Sequence, residues 1–367
     1  MPDTPAPQTP PVMVAVFNQK GGVAKTTTAT NLAVCLTAFG YKVLLVDLDT
    51  QGNATSSFGI EGLPPQGAFE VITGRATVEE VALDTAYEGL WLLPATVSLR
   101  DNDHLLTHAG RRRGLLEARL AQTGVDLVVV DCPPALAAAT ATALASASAV
   151  LMPVRPDPFA HEGLVNTWYE IKRIREAVNA QLGVAGILLT MTGSEPAGAD
   201  VSRVIRSEFG EQVYGVEIET DPKVAEAAQL SLPVAVLDPD GLAGRAYVDA
   251  TAEVLARLAR QNRPETQLPP PLTMVEALNR LREWRSVRHA DLRRRPEDAQ
   301  GWAATPPLAE DEDDDEYFGP VARYQGEAAP TSASAPSRWI GLLLVVGGIG
   351  VGMAIEAFGG LLTKLIR

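Results

Sequence analysis

Cysteine is nearly absent from this chain: Cys35 and Cys132 are the only two in 367 residues. That scarcity excludes a disulfide-stapled secreted scaffold and suits a reducing cytosol. Lysine is scarce too, supplying six of the 31 basic residues. The formal net charge of −14 excludes a uniformly basic, nucleic-acid-coating protein while leaving room for a local basic patch. Much of the acidity is a single run, Glu310 to Glu316, whose seven consecutive carboxylates read as solvated. No secretory signal is expected, because residues 1–11 are proline-rich with Asp3 as their single charge, and they read as a disordered tail. No internal repeat is evident. What is present, 46% hydrophobic and 21% charged residues, is globular in character and leaves room for one large α/β domain with appendages.

Two of the six lysines fall in one glycine-rich run, Lys20-Gly21-Gly22-Val23-Ala24-Lys25-Thr26-Thr27. An apolar, strand-like segment precedes the run, and residues 28–39 after it have helical periodicity. A glycine-rich loop opening a helix turns backbone N–H groups toward a ligand, which is how nucleotide phosphates are held. Lys25 would reach the β- and γ-phosphates and Thr26 a magnesium ion. The strict P-loop pattern is broken, since Gln19 and Ala24 stand at its two glycine positions. If position 24 needs a left-handed backbone, alanine is strained there; if it is already helical, the change is harmless.

Two further apolar runs end in carboxylates. Val43-Leu44-Leu45-Val46-Asp47-Leu48-Asp49 leads into the polar turn Thr50-Gln51-Gly52-Asn53, and Leu127-Val128-Val129-Val130-Asp131 leads into Cys132-Pro133-Pro134. A strand end capped by acidic turn residues would explain the first equally well. Asp131 has the Walker B geometry for holding magnesium, through water, and the two prolines stiffen the following turn. Three motifs at the ends of successive expected strands agree with ligand binding at the carboxyl edge of an open α/β sheet.

The variant K-G-G-x-x-K-T-T resembles the signature of the ParA/MinD superfamily, the deviant Walker A ATPases that position DNA, division proteins or other cargo. The resemblance implies ATP and Mg²⁺ as cofactors, with Lys20, Gly21, Gly22, Val23, Ala24, Lys25, Thr26 and Thr27 around the phosphates. It implies that Lys20 crosses an ATP-sandwiched homodimer to the partner's nucleotide, so that Lys20, Lys25 and Asp49 are the catalytic set. Asp49 would orient the attacking water in switch I, and Asp47, with Thr26 and Asp131, lies toward the metal. Slow basal turnover, stimulated by a ParB-like or cargo-adaptor protein, is the expectation. Iron–sulfur reductases of the superfamily bridge a dimer through two cysteines per subunit, but Cys35 falls on an expected buried helix. Membrane-linked tyrosine kinases share the Walker motifs; they lack the first loop lysine and carry terminal tyrosines, whereas this chain has Lys20 and no tyrosine after Tyr324.

The expected fold is α/β, a doubly wound, mostly parallel sheet of the P-loop NTPase type, over residues 12–262. Strand candidates are 12–17, 42–47, 90–93, 126–130, 149–153 and 184–190, and 244–260 reads as the last helix of the domain. Residues 263–300 form a second segment. After Pro269-Pro270-Pro271, residues 272–295 read as an arginine-rich helix with Leu272, Val275, Leu278, Leu281, Trp284 and Val287 on one face. It either packs on the ATPase domain with its basic face in water, or binds DNA, anionic lipid or the acidic run.

Residues 301–337, acidic and then rich in Ala, Pro and Ser, read as a flexible linker. Within 338–367, residues 339–355 carry no charge and 339–363 only Glu356. That length suits a transmembrane anchor, with Gly348 and Gly352 as a G-x-x-x-G pairing face; an in-plane helix or an oligomerisation helix competes. An anchor implies a cytoplasmic ATPase domain tethered to the inner membrane.

One stretch departs from the resemblance. Partition ATPases of the small type bind DNA through arginines in a segment like I-P-R-N-V-R, which reads Ile218-Glu219-Thr220-Asp221-Pro222-Lys223 here, and the strand-end Thr192-Gly193-Ser194 lacks the usual arginine. Nonspecific DNA binding is therefore expected to be weakened. A positioning or segregation ATPase is the leading expectation, and a membrane-anchored nucleotide-binding scaffold with little hydrolysis is the alternative.

Overall fold

The computed structural model describes residues 10–107, 114–193, 196–260 and 268–293. Eight strands form one sheet: β1 (Val12–Val16), β2 (Val43–Asp47), β3 (Leu83–Asp84), β4 (Leu90–Leu93), β5 (Leu127–Asp131), β6 (Ala149–Val154), β7 (Gly183–Thr192) and β8 (Ile218–Glu219). Their order is β3-β4-β2-β5-β1-β6-β7-β8, and every neighbouring pair is parallel except β3 with β4. The central strands are buried throughout and made mostly of Val, Leu and Ala, as a sheet covered by helices on each side requires. All six expected strands are present within two residues of their expected ends. The two-residue strands β3 and β8 are too short to carry an alternation pattern.

Register sets the site. Val16 and Asp47 both stand opposite Asp131, so β1, β2 and β5 end in one row at the carboxyl edge. Helix Lys25–Ala38 rises from that edge and is buried along nearly all its length. On its side of the sheet, Val12, Val14, Leu45 and Val129 share one core with helices Val234–Leu237, Leu242–Arg260 and Met274–Arg293.

The last of these helices differs from the expected one. It begins at Met274 behind a capping box in which Thr273 Oγ1 accepts from the Glu276 N–H at 3.3 Å and Glu276 accepts from the Thr273 N–H at 2.8 Å. Ala277, Leu278 and Leu281 are buried, whereas Val275 and Val287 are exposed. Apolar residues spaced strictly by three precess by about 60° per step on a helix of 3.6 residues per turn. The two outer valines therefore rotate away from the core that holds the middle of the stripe. The arginines stay close to the domain. Arg280 donates to the Thr37 carbonyl at 3.2 Å, Arg282 grips Asp240, and Arg285 lies 3.8 Å from Asp238. The helix is thus part of the compact unit that holds the sheet and ends at Arg294. Among the described residues no helix is long and apolar enough to cross a membrane; the candidate span 339–363 and the acidic linker lie outside them.

Candidate nucleotide-binding site

The loop between β1 and helix Lys25–Ala38 is held from three sides. The Asn18 side-chain amide donates to the Pro153 carbonyl at 2.8 Å, and its oxygen accepts from the Lys20 N–H at 3.0 Å. The Gln19 N–H reaches Thr167 Oγ1 at 3.1 Å, and Thr190 Oγ1 donates to the Val23 carbonyl at 3.2 Å. Within this frame Gly22 has φ 69° and Ala24 has φ 60° and ψ 35°, both left-handed. Position 24 therefore requires the conformation that costs an L-residue about 1–2 kcal/mol, and the chain carries that strain at its phosphate loop.

The helix beyond Ala24 starts without a side-chain cap and without an acidic residue in its first turn. Its leading N–H groups are those an anion would cap. A Cβ added at Gly21 or Gly22 would meet nothing within 4 Å, so open space faces the loop. Lys25 is buried, with its ammonium donating to the Lys20 carbonyl at 2.9 Å. Burial lowers its pKa, and the nearby Asp131 and Asp49 carboxylates oppose that shift.

Behind the loop two carboxylates are entirely buried, and they differ in what they touch. Asp47 is saturated: one oxygen accepts from the Asp49 N–H at 3.1 Å, the other from the Thr55 N–H at 2.8 Å and the Thr55 hydroxyl at 2.7 Å. Burial raises its pKa to about 6 against the pull of those bonds. Neither oxygen of Asp131 has a hydrogen-bond partner of ordinary geometry among the described residues; the Thr26 hydroxyl is close enough to pull its pKa down, and the Lys25 ammonium and Asp47 lie around it. Burial, followed by the Asp47 charge, pushes its pKa well up. An orphaned buried carboxylate beside a threonine hydroxyl offers the hard oxygen donors that a hydrated magnesium ion takes, so these residues fit the ion.

Asp49 sits at the turn after β2, half-buried, with Oδ1 accepting from the Gln51 N–H at 3.0 Å. Lys25, Thr26, Asp47, Asp49 and Asp131 are therefore brought together. Lys20 is not: its ammonium is ion-paired with both oxygens of Asp157 and lies 6.0 Å from the centre of the Phe159 ring. Asp157, Phe159 and Thr55 carry no signal in the sequence that would tie them to this site. The two cysteines are fully buried, and burial raises Cys35 to about 12. At the segment expected to have lost its DNA contacts, Lys223 is ion-paired with Glu226 at 2.7 Å.

A family model described as an AAA domain matches residues 12–184. The chromosome partitioning protein ParA of Caulobacter vibrioides is 36% identical over 251 residues, which is 67% of this chain and 94% of that protein. The chromosome-partitioning ATPase Soj of Thermus thermophilus is 38% identical over 246 residues, 67% of this chain and 96% of its own length. Among solved structures, cobyrinic acid a,c-diamide synthase from Mycobacterium smegmatis with bound ADP and magnesium matches with a TM-score of 0.58 at 29% identity, covering 69% of this chain and 96% of that one. At this identity, and matched along almost their whole length, the partitioning proteins show that the chain belongs to the ParA/Soj family of ATPases within the ParA/MinD superfamily.

Proposed function

We propose that this protein is a positioning or segregation ATPase that binds ATP with Mg²⁺ and hydrolyses it slowly in a nucleotide-sandwiched homodimer. The orphaned Asp131 carboxylate, facing Thr26 and Lys25 below an uncapped helix start, is the observation that carries the reading. Thr26 and Asp131 would hold the ion, which would supply positive charge against the phosphates. Lys25 and the first N–H groups of helix Lys25–Ala38 would hold the phosphates. Asp49 positions the attacking water. Asp47, spent on Thr55 and the Asp49 backbone, acts by fixing the turn that carries Asp49. Lys20 reaches the partner's phosphates in trans once it has left Asp157.

The activator is a ParB-like or cargo-adaptor protein. With Lys223 paired to Glu226, and Arg282 and Arg285 of helix Met274–Arg293 beside Asp240 and Asp238, nonspecific DNA is a weak ligand at most. The apolar stretch 339–363 is read as a membrane anchor, which would make a bilayer the matrix in place of the nucleoid. A scaffold that binds nucleotide and hardly turns it over is the competing function, favoured by the pairing of Lys20 within its own chain.

The test is ATP turnover and light-scattering mass for the full chain and for Lys20→Ala. Nucleotide-dependent dimers in the parent and none in Lys20→Ala support the proposal; identical dimerisation sinks the role of Lys20. Turnover equal to that of Asp49→Ala, with candidate activators present, establishes the scaffold. For the anchor, carbonate extraction compares the full chain with one ending at Ser337, and equal release of both refutes it.

A further inference from the structure

Helix Met274–Arg293 is linked through two aromatic rings to the segment that follows Asp49. From the site outward, Asp47 clamps Thr55 through its N–H and hydroxyl, and Thr55 lies in the short helix Asn53–Ser56. Two residues past that helix, the ring of Phe58 meets Tyr87 edge-on, with centroids 6.0 Å apart. Tyr87 is fully buried and its ring stands 5.2 Å from that of Trp284. Trp284 is braced in turn by the Arg280 guanidinium, 5.5 Å from its ring centre, and Arg280 also caps the Thr37 carbonyl near the end of the phosphate-loop helix. The Arg288 guanidinium faces the Tyr87 hydroxyl. One helix thus touches the end of the phosphate-loop helix and, through two rings, the segment that follows Asp49.

Aromatic contacts of this kind are short-ranged and orientation-dependent, so a shift of the 49–58 segment changes the packing of Tyr87 and, through it, of the Trp284 ring. Packed interiors pass such shifts on as discrete rearrangements. Tyr87 belongs to the same buried hydrophobic cluster as Leu278 and Leu281, and Phe58 and Trp284 pack against it.

We propose that helix Met274–Arg293 is the regulatory output of the nucleotide site, with the state of the 49–58 segment read through Phe58 and Tyr87 by Trp284 and passed to the chain beyond Arg293. This inference rests on the reading of Asp49 as the water-positioning residue. Coupling is reciprocal, so whatever restrains this helix from the C-terminal side changes hydrolysis at Asp49.

The experiment uses the full chain. Amide hydrogen exchange of the unmodified protein is followed without ligand and with Mg²⁺ and a non-hydrolysable ATP analogue. Peptides spanning 49–58 and 274–293 should change protection together; a change in 49–58 with none in 274–293 overturns the inference and leaves the nucleotide site intact. No change in either, with no analogue bound, overturns the site itself and this inference with it. Steady-state kinetics then separate coupling from simple stability. Trp284→Ala should lower kcat at least about fivefold, the lower end of ordinary allosteric coupling, at unchanged nucleotide affinity. Ile205→Ala, a fully buried deletion on helix Pro196–Phe209 and outside that cluster, should lower the melting temperature and leave kcat within about twofold, below that range of coupling. Equal kcat for Trp284→Ala and Ile205→Ala refutes the output role.

Discussion

The Lys20 ammonium is ion-paired with the carboxylate of Asp157, 137 positions further along the same chain. The lysine expected to act across a dimer is therefore held at home, and the two engagements exclude each other. Both side chains are only about three-quarters buried, with relative exposures of 25% and 25%, so water screens the pair and its strength is modest. Asp157→Asn should tighten nucleotide-dependent dimerisation by about two- to fivefold, as expected for a partly exposed ion pair worth under about 1 kcal/mol. Sedimentation velocity across a concentration series reads this directly, and unchanged or weaker dimerisation would show that Asp157 does not compete.

Asp49→Ala should reduce kcat by at least about 100-fold while ATP binding persists, because a residue that positions water is felt in the chemical step and not in ground-state affinity. Single-turnover hydrolysis beside a fluorescent-nucleotide titration makes the distinction. Equal losses in affinity and turnover would move Asp49 from the chemistry to the binding of nucleotide.

Ala24→Gly relieves a left-handed alanine, and the gain outweighs the entropy glycine loses on folding. A net stabilisation of about 0.5–1 kcal/mol is expected, seen as a rise of roughly 1–4 °C in melting temperature. Ala24→Val at the same φ should instead destabilise the loop and weaken nucleotide binding. Calorimetry of the nucleotide-free protein checks both directions.

Asp131 gives a pH dependence with a definite sign. Its folded pKa is raised by burial and by Asp47, so the folded state holds the proton more tightly than the unfolded chain. Stability is drained as pH climbs through the unfolded carboxylate range near about 4 and keeps falling until the raised folded value is passed. Asp47, raised to about 6, adds to this between about 4 and about 6. Asp131→Asn should therefore raise the melting temperature of the nucleotide-free protein at about pH 7, and the difference should close toward about pH 4. The same variant should lose stabilisation by Mg²⁺ with nucleotide. Thermal scans over pH, with and without Mg²⁺, read both effects, and a parallel offset at every pH would exclude this cause.

Leu281→Ala should cost about 2–4 kcal/mol, because the side chain is fully buried in the main hydrophobic cluster. Urea denaturation gives the value. A cost below about 1 kcal/mol would mean that helix Met274–Arg293 is loosely docked.

Much of the site was legible in the sequence. Lys25, Thr26, Asp47, Asp49 and Asp131 lie at strand ends or at a helix start, where the local pattern of apolar run, glycines and carboxylates already states the geometry. The buried strands of the sheet were legible for the same reason, since each is a run of β-branched and aliphatic residues bounded by turn signals. The edge strands β3 and β8 were not, because pairs of residues such as Ile218 and Glu219 become a strand only through the neighbour they meet. The helix after residue 272 was visible, but its buried face was not: which of six apolar positions turn inward depends on where Leu278 and Leu281 find a surface.

Local order along the chain is thus enough to specify the phosphate loop, the carboxyl-edge aspartates and the strands that align them, because each motif is encoded within a dozen residues. Contacts across the fold settle the rest: Lys20 is claimed by Asp157, Asp131 comes to lie beside Thr26 and Lys25, and Trp284 stands on Tyr87, which meets Phe58. Each of these depends on residues far apart in the chain meeting in space, and short-range backbone and pattern preferences carry no information about which distant side chain completes a contact.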